Sequence, residues 1–254
     1  MFDLGSAAHS MLLHDDRQFA IAPGEFKDWK KKDAREFKDD AYANGFIPLL
    51  EHQYENVRAM ATAARAQLDA HEQMAGAFLN GQPEVTLIWR EGDTWARCRL
   101  DWHHTDGPMV RVFPDYKSTG ASANPEGGVE RLAFNMGFEV QAAWYRRGIR
   151  AVLKIDNPTF LFVVQENTPP YALSVIGLPP AVMDLAERKV DHALELWRKG
   201  LRTNEWPGYA SRIAWIEMPR WAESAWLDRE IRREVDPETY ERLLQWQAPM
   251  EAAE

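Results

Sequence analysis

LDWHHTDGPMVRVFPDYKST, residues 100–119, is the stretch from which the rest of the chain can be interpreted. Asp101 closes one apolar run. Asp115-Tyr116-Lys117 closes the next, Val110 to Pro114, and Thr105-Asp106-Gly107-Pro108 reads as the turn between them. Side chains alternate along a strand, so Asp115 and Lys117 share a face while Tyr116 points away. Two carboxylates and a lysine at neighbouring strand ends suit metal-dependent phosphodiester hydrolysis. The carboxylates offer hard oxygen ligands to Mg²⁺, and the lysine can orient or deprotonate the attacking water. The carbonyl oxygen of Tyr116 is a further candidate ligand. Taken alone, Asp-x-Lys is a weak signal whose ordinary meaning is a solvated strand end.

Around this stretch, Glu84 to Trp89, Thr94 to Trp102 and Met109 to Lys117 read as a three-strand meander. Upstream, residues 5–14 and 49–80 carry helical patterns, and 15–48 reads as short helices without clean periodicity. Downstream come a Ser/Gly/Asn/Pro-rich loop over 118–128 and an amphipathic helix over 129–148, with Leu132, Met136, Val140 and Trp144 on one stripe. Strands are expected at 150–156, 159–165 and 171–177, a helix at 180–200 and a last helix near 236–247. The order predicts an α/β (α+β) fold in which helices flank a mixed central sheet. It is read as a single domain, 1–254, with a helical part (1–80), a sheet-helix core (81–200) and a C-terminal extension (201–254).

Composition sets bounds on the function. A net charge of −9 argues against a generic DNA-coating protein, because non-specific affinity comes from phosphate neutralisation. The basic clusters, Lys27 with Lys30 to Lys32 and Arg146-Arg147 with Arg150 and Lys154, read first as solvated helix faces. The single cysteine, Cys98, excludes an internal disulfide and a four-cysteine zinc or iron–sulfur site, and its alternating surroundings predict burial. Eleven Trp point chiefly to an aromatic-rich core. The opening Met-Phe-Asp-Leu-Gly lacks the basic and apolar regions of a secretory leader, and no apolar stretch approaches membrane length. A cytoplasmic protein with no membrane partner is expected.

The order of the motifs is more specific than any one of them. Gly5-Ser-Ala-Ala-His9, then Asp101, then Asp115-Tyr116-Lys117, then Gln141-Ala-Ala-Trp-Tyr145, resembles the RecB-type branch of the PD-(D/E)XK nucleases. Within that branch it is most similar to the RecE (exonuclease VIII) nuclease domains of phages and prophages. Glu84, Gln165-Glu166, Pro169-Pro170-Tyr171 and Trp206-Pro-Gly-Tyr209 extend the likeness from Gly5 to about Trp221.

The resemblance implies a restriction-endonuclease-like core and roles position by position. Asp101 and Asp115 would be metal ligands, joined by His9 and the carbonyl of Tyr116. Lys117 would be the catalytic lysine, Gln141 and Tyr145 would face the site, and Glu84 would lie near the metals. Ser118 and Thr119 would be small hydroxyl residues near a phosphate. The cofactor implied is Mg²⁺, with Mn²⁺ able to substitute. The implied activity is a 5′ to 3′ exonuclease on linear double-stranded DNA ends, in the cytoplasm of a bacterial host. It would leave 3′ single-stranded tails for a RecT-type annealing protein and work as a ring-like homo-oligomer. Leu100 stands where the family name has proline.

Other readings compete at particular residues. His9 could be structural, and Gln141 and Tyr145 could merely pack as a helix pair. His103-His104 lie beside Asp101 but precede a turn, so an exposed turn is expected for them rather than ligation. At the level of the whole chain, the alternative is a nuclease-fold protein that binds DNA ends or a recombination partner without cutting. A four-cysteine CRISPR-associated relative is excluded by the single Cys98.

Overall fold

The computed structural model describes residues 2–13 and 19–231, and the chain divides into two units, 1–202 and 203–254. In the first unit, α1 (Phe2–Leu13) leads to a small βαβ element. β1 (Phe19–Ile21) pairs in parallel with β2 (Ile47–Leu49), and α2 (Lys32–Ala43) crosses between them. The sequence reading expected only short helices here, because apolar triplets such as Phe-Ala-Ile and Ile-Pro-Leu are too short to display a period of two. α3 (Glu51–Asp69) follows. It stops well before the expected residue 80, and three-residue turns then bury Met74, Ala77 and Phe78.

β3 (Gly81–Glu91) and β4 (Thr94–His104) form an antiparallel hairpin. β5 (Val112–Thr119) does not continue it as the third strand of a meander. It pairs in parallel with β6 (Thr159–Glu166), which pairs antiparallel with β7 (Leu173–Gly177). The reason lies in burial: Phe113 to Tyr116 are covered on both faces, as a strand inside a helix-flanked sheet must be. Two bonds between side chain and backbone join β4 to β5 instead. Asp101 Oδ2 accepts from the Tyr116 N–H at 2.7 Å, and His104 Nδ1 lies 3.0 Å from the Val112 carbonyl oxygen.

The segment expected as one helix over 129–148 is two, α4 (Val129–Asn135) and α5 (Phe138–Leu153). Gly137, at φ 68°, supplies the left-handed residue between them. The strand expected at 150–156 is mostly the last turn of α5, which ends at Lys154 in a left-handed conformation. Gly148 resembles a helix stop in the sequence, but it is a point of close approach. A Cβ there would lie 2.8 Å from Trp89 Cζ3 and 3.0 Å from Cys98 Sγ. α6 (Pro180–Thr203) runs three residues past its expected end, through buried Gly200.

Two cores result, one on each face of the β5–β6–β7 sheet. Phe113, Phe160, Phe162 and Val164 pack with the inner face of the hairpin, α5 and α6. Tyr116 and Val163 pack with Leu12 and Leu13 of α1 and with Val57 and Met60 of α3. Cys98 is buried as expected, and burial pushes its thiol up to about 12. The Arg147 cluster is structural: its guanidinium is 14% exposed and pairs with Glu91, Glu187 and Asp191 at 2.6–3.0 Å. In the second unit, irregular chain leads to α7 (Arg220–Ile231), and Trp206 and Tyr209 are exposed. The helix expected near 236–247 lies outside the described residues. No described helix is long and apolar enough to cross a membrane.

The close approach at Gly148 can be tested. Valine there must displace the Trp89 ring, so Gly148→Val should cost about 2 kcal/mol, read as a lower urea midpoint with unchanged slope. An unchanged midpoint would mean that α5 does not lie this close to the hairpin.

Candidate metal centre

The site forms where α1, the hairpin and β5 meet. The alternation of β4 turns Leu100 and Trp102 inward and leaves Asp101 on the other face. Directly opposite, Glu84 has φ 56°, unusual for a residue with a Cβ. The hairpin ladder pairs Pro83 with Trp102 and Val85 with Leu100 but is interrupted at Glu84 and Asp101. This kink carries the Glu84 carboxylate to the third member of the site, His9 of α1. His9 Nδ1 lies 3.3 Å from Glu84 Oε1, and His9 Nε2 lies 3.1 Å from Asp101 Oδ2. α1 can approach this closely because residue 5 is glycine; a Cβ there would already meet Ser118 Oγ at 3.2 Å.

Burial disfavours the charged form of His9. The hydrogen bond to Asp101 and the negative charges of Asp101, Glu84 and Asp115 outweigh it, so the His9 pKa lies above its ordinary 6.5. The imidazolium, with a proton on each nitrogen, is thus the form that suits both carboxylates.

Asp115 and Lys117 sit on the adjacent strand, on the face toward α5. Asp115 is almost fully buried, Lys117 Nζ lies 2.5 Å from its Oδ2, and Gln141 Nε2 donates to its Oδ1 at 2.6 Å. Burial, followed by the charge of Asp101, raises the Asp115 pKa well above the carboxylate range; Lys117 and Gln141 oppose this and do not cancel it. Tyr145 lies one turn beyond Gln141 on α5. Its hydroxyl is pushed up to about 12 by burial and by the charges of Asp115 and Asp101. Its ring packs edge-on against Phe160 at 5.3 Å.

The tip of the Tyr116 side chain is locked elsewhere. Its hydroxyl donates to Gln165 Oε1 at 2.7 Å, and buried Gln165 donates in turn to the Met60 carbonyl at 3.0 Å. In a strand, the N–H and C=O of one residue face the same edge. Because the Tyr116 N–H points to Asp101, its carbonyl faces the Asp101 edge as well.

The donor set fits a divalent cation. One ligand atom from each of His9, Glu84 and Asp101 lies within 4.8 Å of the others. Glu84 Oε2 and Asp115 Oδ2 are buried and outside hydrogen-bond geometry, although Arg99 Nε and Lys117 Nζ lie 2.6 and 2.5 Å from them. Distance alone makes these ion pairs. A carboxylate oxygen has more than one lone pair, so each keeps capacity for a further ligand beside its ion pair. Carboxylate oxygens with one imidazole suit Mg²⁺ or Mn²⁺, the imidazole favouring Mn²⁺.

A cleft of about 750 Å³ opens onto these groups, lined among others by His9, Glu84, Arg99, Lys117 and Ser118. Thr119 instead turns its hydroxyl to the Ala121 N–H in the following loop. The expected exposed turn at His103-His104 is in fact the end of β4. His104 is buried, and His103 stacks on Phe113 at 6.0 Å. Arg99 escaped the sequence reading. Its spacing of two from Asp101 on one strand face was the available signal.

Comparison with known proteins identifies the family. A family model described as a PDDEXK-like domain of unknown function (DUF3799) matches residues 1–219. The chain is similar to a crystal structure from Eubacterium rectale described as a "putative exonuclease", at 13% identity and a TM-score of 0.49, covering 76% of this chain and 73% of that one. No curated protein matches. With the family model spanning most of its length, the chain belongs to the PDDEXK-like family DUF3799.

Proposed function

We propose that this chain is a divalent-cation-dependent exodeoxyribonuclease. It degrades linear double-stranded DNA from its ends, 5′ to 3′, and leaves 3′ single-stranded tails for phage-type recombination. The observation that carries this reading is the meeting of two half-sites around Tyr116. The His9, Glu84 and Asp101 cluster touches its backbone N–H through Asp101, and Asp115 and Lys117 flank it in the chain. Membership of a PDDEXK-like family supports a nuclease.

A divalent cation bound by His9, Glu84 and Asp101 would supply positive charge against the phosphate and acidify the attacking water. The other tasks fall to the chain. Lys117 lines the cleft with its side chain 30% exposed, placed to orient the water or hold a non-bridging phosphate oxygen. Asp115 fixes Lys117 and is itself fixed by Gln141, so the lysine is positioned before substrate arrives. Arg99 and Ser118 lie on the cleft wall, within reach of neighbouring phosphates.

Exonucleolytic action, polarity, a RecT-type partner and a bacterial cytoplasmic setting rest on the resemblance to RecE-like nucleases. A ring-like homo-oligomer fits the net charge of −9, since an acidic exterior can coexist with a channel that takes DNA.

Linear duplexes labelled at either the 5′ or the 3′ end, with and without Mg²⁺, test activity, metal dependence and direction together. Nucleotide release from 5′ ends, and none from closed circles, is expected. Tight binding of ends with no release in Mg²⁺ or Mn²⁺ would favour the non-cutting alternative. Lys117→Ala and Asp115→Asn should each lower the rate by at least about 100-fold while circular dichroism stays unchanged. A fully active Asp115→Asn protein would sink the assigned chemistry.

Metal affinity should depend on pH with a definite sign. The His9 pKa is raised, so below it the imidazolium must lose a proton before it can ligate. Calorimetric Mn²⁺ affinity should therefore weaken by up to about tenfold per pH unit as pH falls below the raised His9 pKa, a loss that begins above 6.5. A flat profile would remove His9 from the ligand set.

A further inference from the structure

The outer face of the hairpin is not used by the chemistry above. Side chains two apart on β4 share a face, so Asp101, Arg99, Arg97 and Trp95 form one row. At about 3.4 Å per residue the row extends roughly 20 Å from the metal cluster. Cross-strand pairing places Thr86 beside Arg99, Ile88 beside Arg97 and Arg90 beside Trp95. Trp95 is 68% exposed and Ile88 is 60% exposed. The Arg90 guanidinium lies 5.0 Å from the Trp95 ring centroid and donates to the Asp93 carbonyl oxygen at 3.2 Å. Arg97 has no ion pair among the described residues. Arg99, at the cleft, shares its charge with Glu84 at 2.6 Å.

An exposed indole and an exposed isoleucine set among three arginines on one hairpin face leave apolar area in water beside concentrated positive charge, in a chain of net charge −9. We propose that this face is a track for single-stranded DNA leading to or from the metal centre. Arg97, with Arg99 nearer the cleft, holds successive phosphates. Trp95, braced from one side by Arg90, stacks an unpaired base. A backbone-tracking cationic row with an aromatic platform is the chemistry that recognises unpaired strands regardless of sequence. A duplex, its bases already stacked, gains nothing from Trp95. The inference rests on the nuclease reading for the strand's destination, but the binding it predicts needs no cutting.

The test is fluorescence anisotropy in EDTA, where no hydrolysis occurs. It uses a labelled oligodeoxythymidine of about 20 nucleotides, longer than a typical single-strand site, and a blunt duplex of the same length. The parent protein should prefer the single strand. Trp95→Ala should weaken that binding about tenfold. Arg97→Gln should weaken it several-fold and reduce the slope of log affinity against log salt by about 0.7. Arg188→Gln, exposed on α6 away from the row, should bind as the parent does. Both positions are exposed, and a thermal melt of each variant checks that the fold is retained.

Unchanged single-strand binding in both variants, or a parent that prefers the duplex, overturns the track. Nucleotide release by the parent in Mg²⁺ is scored separately. Cutting with unchanged variant binding removes the track and keeps the nuclease. Loss of binding in the variants of a parent that never cuts keeps the track and removes the nuclease.

Discussion

One carboxylate oxygen holds the site and the fold together. Asp101 Oδ2 accepts from the Tyr116 N–H at 2.7 Å and lies 3.1 Å from His9 Nε2. The first contact fastens the hairpin to the edge of β5, where no strand ladder does so. The second fastens α1 to both. A buried backbone N–H needs a partner, and here that partner is a charged side chain rather than a neighbouring strand's carbonyl. The site is therefore a structural joint as well as a place for chemistry. Removing the carboxylate would cost the molecule more than a ligand.

Around that joint the charges are unequally balanced. Glu84, Asp101 and Asp115 converge with His9, Arg99 and Lys117 close among them, and the pKa values of His9 and Asp115 are both raised. Arg147 shows the opposite case in the same chain. There a single guanidinium is met by three carboxylates with donors enough for all of them, and it ties α5 to α6 and the hairpin. The two differ in access: the first cluster borders the cleft, and the second is a buried knot between elements.

What could be read from the sequence was whatever depends on short, regular spacing. Asp115 and Lys117 fall on one face because strands alternate, and Gln141 and Tyr145 fall on one face because helices turn in about four residues. Cys98 was readable as buried for the same reason. What could not be read depends on non-local partners. The left-handed Glu84, the joining of β5 to β6 rather than β4, and the course of α5 through Gly148 are set by the surfaces those segments meet. His104 belonged to this group too, since its burial comes from β5 laid alongside it. β1 and β2 failed differently, being too short for any period to show. The wider phage-recombination setting is not written in the geometry at all.

The seam between β4 and β5 has a mechanical consequence. Glu84 and Asp101 ride on one hydrogen-bonded ladder, Asp115 and Lys117 on another, and side-chain contacts span the gap. The spacing between the two acidic halves is therefore set by those side-chain contacts and not by a rung of either ladder. A pocket cut into a single continuous sheet would have its aperture set by the pleat. Here it is set by two side chains, Asp101 and His104, so a substitution at either would change the width of the gap as well as the contact itself.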